Sequence, residues 1–290
     1  MFKYVHPTLF SFDVEWIPDP KAAQMLYGVA YDPPHNTHDA FKKIWAESGA
    51  TPEQPRPWVK TALCRIVSIC GIFREAGAAG GVSLKLVSMP PDASDPEKCA
   101  EPYIIEMFLR AVGGRKPQLV GFNSVNADVP IIVQRAIIHG LDSHGFAKRP
   151  EKPWEGIDYF SNAGDFHVDL AHGLARGVNT PRLHEIATLS GIPGKIDTAG
   201  DQVWDLFLRG HTDQIVNYNE CDAFTTHLLW ARMAHFAGLL DKKAYATEQE
   251  AVRQLLTECA AQGKAHLQTY LDKWSELQEM MRVQDKALDL

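Results

Sequence analysis

Apolar and polar positions alternate through Thr8–Glu15 (TLFSFDVE), a period-two pattern bounded by Pro7 and Pro18 that predicts a strand. Two further strands, Arg65–Phe73 (RIVSICGIF) and Val82–Ser88 (VSLKLVS), are joined by the glycine-rich turn Gly77–Gly81. Gln118–Asn123 (QLVGFN) and His167–Leu170 complete the strand set. Helical spacing marks Tyr103–Val112, closed by Gly113-Gly114, and Asp128–Ile138, with Pro130 in its first turn. It returns in Arg182–Ser190, Gln202–Leu208 and Asp213–Ala237. From Lys243 to Val283 the chain reads as helix alone. It carries one apolar stripe of Val252, Leu255, Leu256 and Cys259, and a second of Leu267, Tyr270, Leu271, Trp274 and Leu277.

Between Ile17 and Lys60 the pattern breaks. Seven of the chain's eighteen prolines fall there, and only Phe41, Ile44 and Trp45, at i, i+3, i+4, predict a short helix within a long excursion. Two adjacent hairpin strands followed by alternating strands and helices predict an α/β fold: a mixed sheet flanked by helices. The expected organisation is a main body over 1–240 with a C-terminal helical hairpin, 241–290, packed on it.

Composition narrows the class. The 290 residues are 45% hydrophobic and 22% charged, a globular balance. No apolar run approaches the ~18 residues of a membrane span, and no signal peptide is evident, so a soluble cytoplasmic protein is expected. Five scattered cysteines without a CxxC pair disfavour disulfide scaffolds and zinc ribbons, and Cys64 and Cys70 read as small buried hydrophobes. Twelve histidines contain no HExxH. The net charge of −7 disfavours binding of duplex DNA by charge alone, and leaves a local site with bound cations as the route to any nucleic acid.

The candidate chemistry lies in carboxylates. Asp13 and Glu15, at i, i+2 on the first strand, share one face, with Phe10, Phe12, Val14 and Trp16 at the alternate positions. Like charges so close repel unless a cation lies between them, although two solvated acids at a strand end give the same pattern. Asp128 opens a helix, where Asp is also a common N-cap. Tyr218 and Asp222 share a face, at i, i+4, of a long helix whose apolar Ile215, Cys221, Leu228 and Leu229 suggest burial.

Taken together, FDVE (12–15), GFNSVNAD (121–128) and YNECD (218–222) resemble the three motifs of the DEDD, or DnaQ-like, 3′→5′ exonucleases. The resemblance is closest to the predicted exonucleases related to the proofreading domain of family-B DNA polymerases. It extends to HVDL (167–170), LSGIPGK (189–195) and QVWDLF (202–207), and so over nearly the whole chain. It implies a ribonuclease H-like fold in which Asp13, Glu15, Asp128 and Asp222 hold two divalent cations, Mg²⁺ or Mn²⁺. Such a pair, about 3.5–4 Å apart, clamps the attacking and leaving oxygens of a phosphodiester displacement.

The Tyr218-x-x-x-Asp222 spacing matches the tyrosine branch, and the phenol is expected to orient the attacking water rather than to act as a base. Ala127 stands where the family carries an aromatic. Asn123, Val14 and Trp16 are the candidate substrate contacts; Asn123 serves equally as a loop cap, and Trp16 as a core aromatic. Arg182 and Lys195 are possible phosphate contacts or plain exposed cations. His167 and Asp169 read as strand-end structure, Lys148, Arg149 and Lys152 as a solvated face, and Trp204, Phe207, Trp230 and Trp274 as core.

The expected activity is a stand-alone exonuclease acting on the 3′ end of single-stranded DNA. The alternatives are an exoribonuclease of the same fold and a non-catalytic nucleic-acid-binding or scaffold module.

Overall fold

The computed structural model describes all residues except 1, 34, 78–79, 153, 162–164, 176–178, 195–202 and 289–290. Five strands make one sheet: β1 (Thr8–Pro18), β2 (Cys64–Ala76), β3 (Val82–Met89), β4 (Gln118–Gly121) and β5 (His167–Asp169). Their order is β3-β2-β1-β4-β5. β2 runs antiparallel to β1 and β3, while β4 lies parallel to β1 and β5 parallel to β4. With helices on both faces this is the ribonuclease H-like fold expected from the motifs.

The alternation of β1 divides the molecule. Phe10, Phe12 and Val14 enter one core with α2 (Thr37–Glu47), α3 (Glu101–Arg115) and α4 (Asp128–Ile138). Leu9 enters a second core with α9 (Thr212–Phe236), α10 (Lys242–Ala261) and α11 (Ala265–Leu288). The same alternation turns Ser11, Asp13 and Glu15 toward α9: Ser11 meets His227, and Asp13 meets Asn219. In the second core the α10 stripe and Leu267, Tyr270 and Trp274 of α11 are buried against α9, where Tyr270 and Thr225 pair through their hydroxyls at 3.0 Å.

Several expectations need correction. The excursion after β1 holds two helices, α1 (Pro20–Tyr27) and α2, not one. Asp19 caps α1 by accepting from the Lys21 N–H at 3.0 Å, and Pro20 occupies the first turn, where a missing N–H costs nothing. Those prolines made a helix start look like a loop.

Gly113 and Gly114 do not end α3, which runs to Arg115 and closes at Lys116 with φ 49°. Gly113 instead lies where α3 meets α5 (His144–Ala147) at close range, the Gly145 backbone standing 3.1 Å from where a Cβ would be. β5 ends at Asp169, and the expected strand residue Leu170 instead begins α6 (Leu170–Leu174). α7 (Leu183–Leu189) and α8 (Val203–Leu208) follow as expected. The Gly77–Gly81 turn and the start of the helix expected at Gln202 fall partly outside the described residues, and Lys195 wholly so.

No described helix is long and apolar enough to cross a membrane. All five cysteines are free; only Cys99 is not buried.

Candidate active site

The site forms where the C-terminal half of β1 meets α9. Asp13, Glu15 and Asp222 offer carboxylate oxygens that all lie within 4.8 Å of one another, and each residue is half-buried. Beside Glu15 the pairing slips: Glu15 stands opposite Ser68 but Trp16 opposite Ile66, so Val67 is the extra residue of a β-bulge. Bulges of this kind re-aim side chains next to sites.

Asp13 is also held from α9. Ser68 Oγ donates to Asn219 Oδ1 at 3.0 Å, and Asn219 Nδ2 donates to Asp13 Oδ2 at 2.7 Å, with Ser68 and Asn219 fully buried. Burial, then the charges of Glu15, Asp222 and Asp128, push the Asp13 carboxyl well above the usual carboxylate range, and the Asn219 bond opposes them only in part. A site that penalises its own negative charge in this way fits a hard divalent cation, and carboxylate oxygens are the donors such a cation takes.

Asp128 stands outside the trio. It is the first residue of α4, buried at 3% exposure, and its pKa is pushed up to about 8 by burial and by the nearby charge of Asp169. It is not the N-cap; that position belongs to Ala127, which is itself buried.

The turn before Asp128 is built by Asp169, which accepts from the N–H groups of Asn123 (2.9 Å) and Val125 (3.0 Å) and, through Oδ1, of His172 (3.3 Å). Ser124 bonds His167 Nε2 at 2.9 Å, and a Cβ on Gly121 would meet the Ser124 side chain at 2.5 Å, so only glycine admits this turn. His167 and Asp169 are therefore strand-end structure that also fixes the approach to Asp128. Burial lowers the His167 pKa to about 4, against the pull of Asp169, which keeps the imidazole neutral.

Tyr218 faces the trio from one turn before Asp222. Burial, the charges of Asp222, Glu15 and Asp13, and a hydrogen bond to Asp222 raise its hydroxyl far above the ordinary phenol value. It is a proton holder at any neutral pH. Tyr218 and Asp222 line a cavity of about 380 Å³ with Arg182, His184 and Thr225. Arg182 and Asn123 share a second cavity of about 390 Å³ with Phe122 and His172.

Asn123 is exposed with φ 59°, and its Oδ1 accepts from Asn126 Nδ2 at 2.9 Å, so it caps its loop while lining that cavity. The Val14 side chain is 3% exposed in the core, which leaves only its backbone for any contact with a substrate. Trp16 is half-buried beside Glu15. Trp230 and Trp274 are fully buried as expected, whereas Trp204 and Phe207 are only partly so. Lys148, Arg149 and Lys152 are exposed, the latter two paired with Asp158 and Glu155.

Residues 56–274 match the model of a family described as a predicted 3′-5′ exonuclease related to the exonuclease domain of PolB. The chain belongs to that exonuclease family. The matched span of the exonuclease includes Asp128, Tyr218 and Asp222 but begins after Asp13 and Glu15, and the fold brings those two acids to Asp222. No curated protein matches the chain.

Sequence reading missed Asn219, although it lies inside the YNECD motif. A side-chain amide among the many polar residues of α9 obeys no spacing rule, so the sequence carried no signal for it.

Proposed function

We propose that this exonuclease is a metal-dependent enzyme of the tyrosine branch, removing nucleoside 5′-monophosphates from the 3′ end of single-stranded DNA. The observation that carries the reading is the convergence of Asp13, Glu15 and Asp222 within 4.8 Å beneath Tyr218. Asp13, Glu15, Asp128 and Asp222 are the proposed ligands of two Mg²⁺ or Mn²⁺ ions. When bound, such ions supply charge neutralisation to the attacking and leaving oxygens of an in-line displacement.

The chain's own groups do the rest. Asn219 fixes the rotamer of Asp13, so the carboxylate needs no reordering before it binds. Tyr218, held protonated, orients the attacking water through a hydrogen bond. Arg182, on the cavities to either side, is placed to meet a phosphate. Asn123, the Val14 backbone and Trp16 are the proposed contacts of the terminal nucleotide. Within this reading residues 1–240 are the exonuclease domain and 241–290 a helical hairpin packed on it, supported by the burial of Tyr270 and Trp274 against α9.

The test uses 5′-labelled DNA and RNA oligonucleotides of matched sequence with Mn²⁺, Mg²⁺ or EDTA. A metal-dependent ladder shortening from the 3′ end, faster on DNA, is expected. A faster RNA ladder reassigns the substrate. No ladder on either substrate overturns the reading.

A further inference from the structure

Four of the chain's seven tryptophans, far apart in sequence, gather at one cleft. Trp16 comes from β1, Trp45 from α2, Trp58 from the proline-rich stretch before β2, and Trp204 from α8. They line a cavity of about 530 Å³ together with Arg56 and with Glu15 of the carboxylate trio. That volume lies inside the range of about 300–1,000 Å³ typical of small-molecule pockets.

Its walls are ordered. Trp16 and Trp58 stand edge to face with centroids 6.1 Å apart, and Trp45 and Trp204 do the same at 5.4 Å. The Arg56 guanidinium lies 3.8 Å from the centre of the Trp204 ring. Only Trp45 is a core residue. Trp58 is 63% exposed, a large aromatic that folding has left to solvent.

We propose that this cleft is a stacking subsite for unpaired nucleobases of the strand whose end lies at the carboxylates; the proposal rests on the exonuclease reading above. The occupant follows from the chemistry of the walls. Indole faces take any base by its π-face, without regard to sequence. A guanidinium seated over an indole face keeps N–H groups for a phosphate. Glu15 lines the cleft and belongs to the trio, so a strand threaded through the cleft reaches the site without a break. In a duplex both faces of every interior base are covered by neighbours, so a single strand offers such walls far more of its bases. For a chain of net charge −7, stacking beside one cation supplies affinity that general electrostatics does not.

The test is binding of a fluorescein-labelled ten-residue single-stranded DNA to the full chain in EDTA, read by anisotropy, so that hydrolysis plays no part. Trp58→Ala should weaken Kd about 10-fold or more, within the range of a lost base stack, and Trp58→Phe should recover most of it. Arg56→Ala should weaken binding and flatten its salt dependence. Trp154→Ala removes another exposed tryptophan, one outside the cleft, and should leave Kd unchanged. A blunt duplex of the same sequence should bind more weakly than the single strand.

Equal Kd for wild type, Trp58→Ala and Arg56→Ala overturns the subsite, as does a wild-type protein that does not bind the single strand. The carboxylate reading is tested separately, by wild-type hydrolysis of the p-nitrophenyl ester of thymidine 5′-monophosphate with Mn²⁺. If that fails while the anisotropy pattern holds, the proposed metal chemistry at the carboxylates falls and the cleft stands as a single-strand binding site only.

Discussion

Two groups of acids lie one beyond the end of β1 and one along it, and folding treats them in opposite ways. At the exit of β1, Asp19 and Glu101 are buried at 5% and 4% exposure, and both are answered by Arg135 of α4. Arg135 reaches Asp19 at 2.8 Å and Glu101 at 2.6 Å, while His139 and the Ile66 N–H each add a contact to Glu101 at 2.7 Å. Burial alone would raise the Glu101 pKa, but these donors bring it below the ordinary value. In the middle of the strand, Asp13 has Glu15, Asp222 and Asp128 as its charged company, and its carboxyl is driven the other way. One group is complete within the chain, whereas the charge of the other is offset by a bound cation in the proposed function. Between Glu101 and Asp13, the direction of the shift separates a structural acid from a candidate site acid where residue type does not.

The sharpest break of that contrast is Asp13→Asn. It keeps an acceptor for Asn219 but removes one negative charge from the trio. Loss of a proposed metal ligand should cut 3′→5′ hydrolysis by about 10³-fold or more, roughly 4 kcal/mol of barrier. In EDTA the same variant should melt no lower than wild type, since its charge is unfavourable there. Full activity, or a large drop in metal-free Tm, would place Asp13 with the structural acids.

Arg135→Met is the mirror experiment. It leaves two buried carboxylates without their cation and should cost about 3–5 kcal/mol in urea unfolding. A loss under 1 kcal/mol would mean that Asp19 and Glu101 do not depend on Arg135 for their place in the fold. Next in size is metal addition. Mn²⁺ at a hundred times its Kd should stabilise the wild type by about 2.7 kcal/mol. Tm should rise with it, and Asp13→Asn should abolish most of the rise. A Tm indifferent to Mn²⁺ would leave the trio's charge without its proposed partner.

How much of this was legible in the sequence follows from what each feature writes there. Period-two alternation in TLFSFDVE gave β1, its two faces and the shared side of Asp13 and Glu15. The i, i+4 spacing put Tyr218 with Asp222. The Arg135–Glu101–Asp19 network was not legible, because its members are held by tertiary packing across 116 positions and obey no short spacing. Asn219 was overlooked because a buried side-chain amide carries no periodic signal. The tryptophan cleft could not be foreseen either, because its walls come from four segments whose mutual approach only the fold decides. Trp204, which sequence alone assigns to the core, is half-buried and faces that cleft.

The smallest expected effect is the pH dependence of the neutralised group. A carboxyl whose folded pKa is depressed binds its proton less readily in the fold than in the unfolded chain. Its stabilisation is therefore complete above the unfolded value, about 4.3 for Glu, and is lost as pH falls through the folded one. For Glu101 the loss begins near pH 5 and grows downward, at a slope of at most about 1.4 kcal/mol per pH unit for the single proton involved. Glu101→Gln removes the titration. It should lower stability at pH 7, because Arg135 and His139 lose their charged partner, but unfolding free energy should then fall less steeply between pH 5 and pH 3 than in the wild type. The measured quantity is the difference between the two slopes, which is insensitive to the absolute cost of the substitution. Parallel slopes would mean that Glu101 binds its proton equally well in the folded and unfolded chain, and the contrast between the two groups of acids would collapse to one of geometry alone.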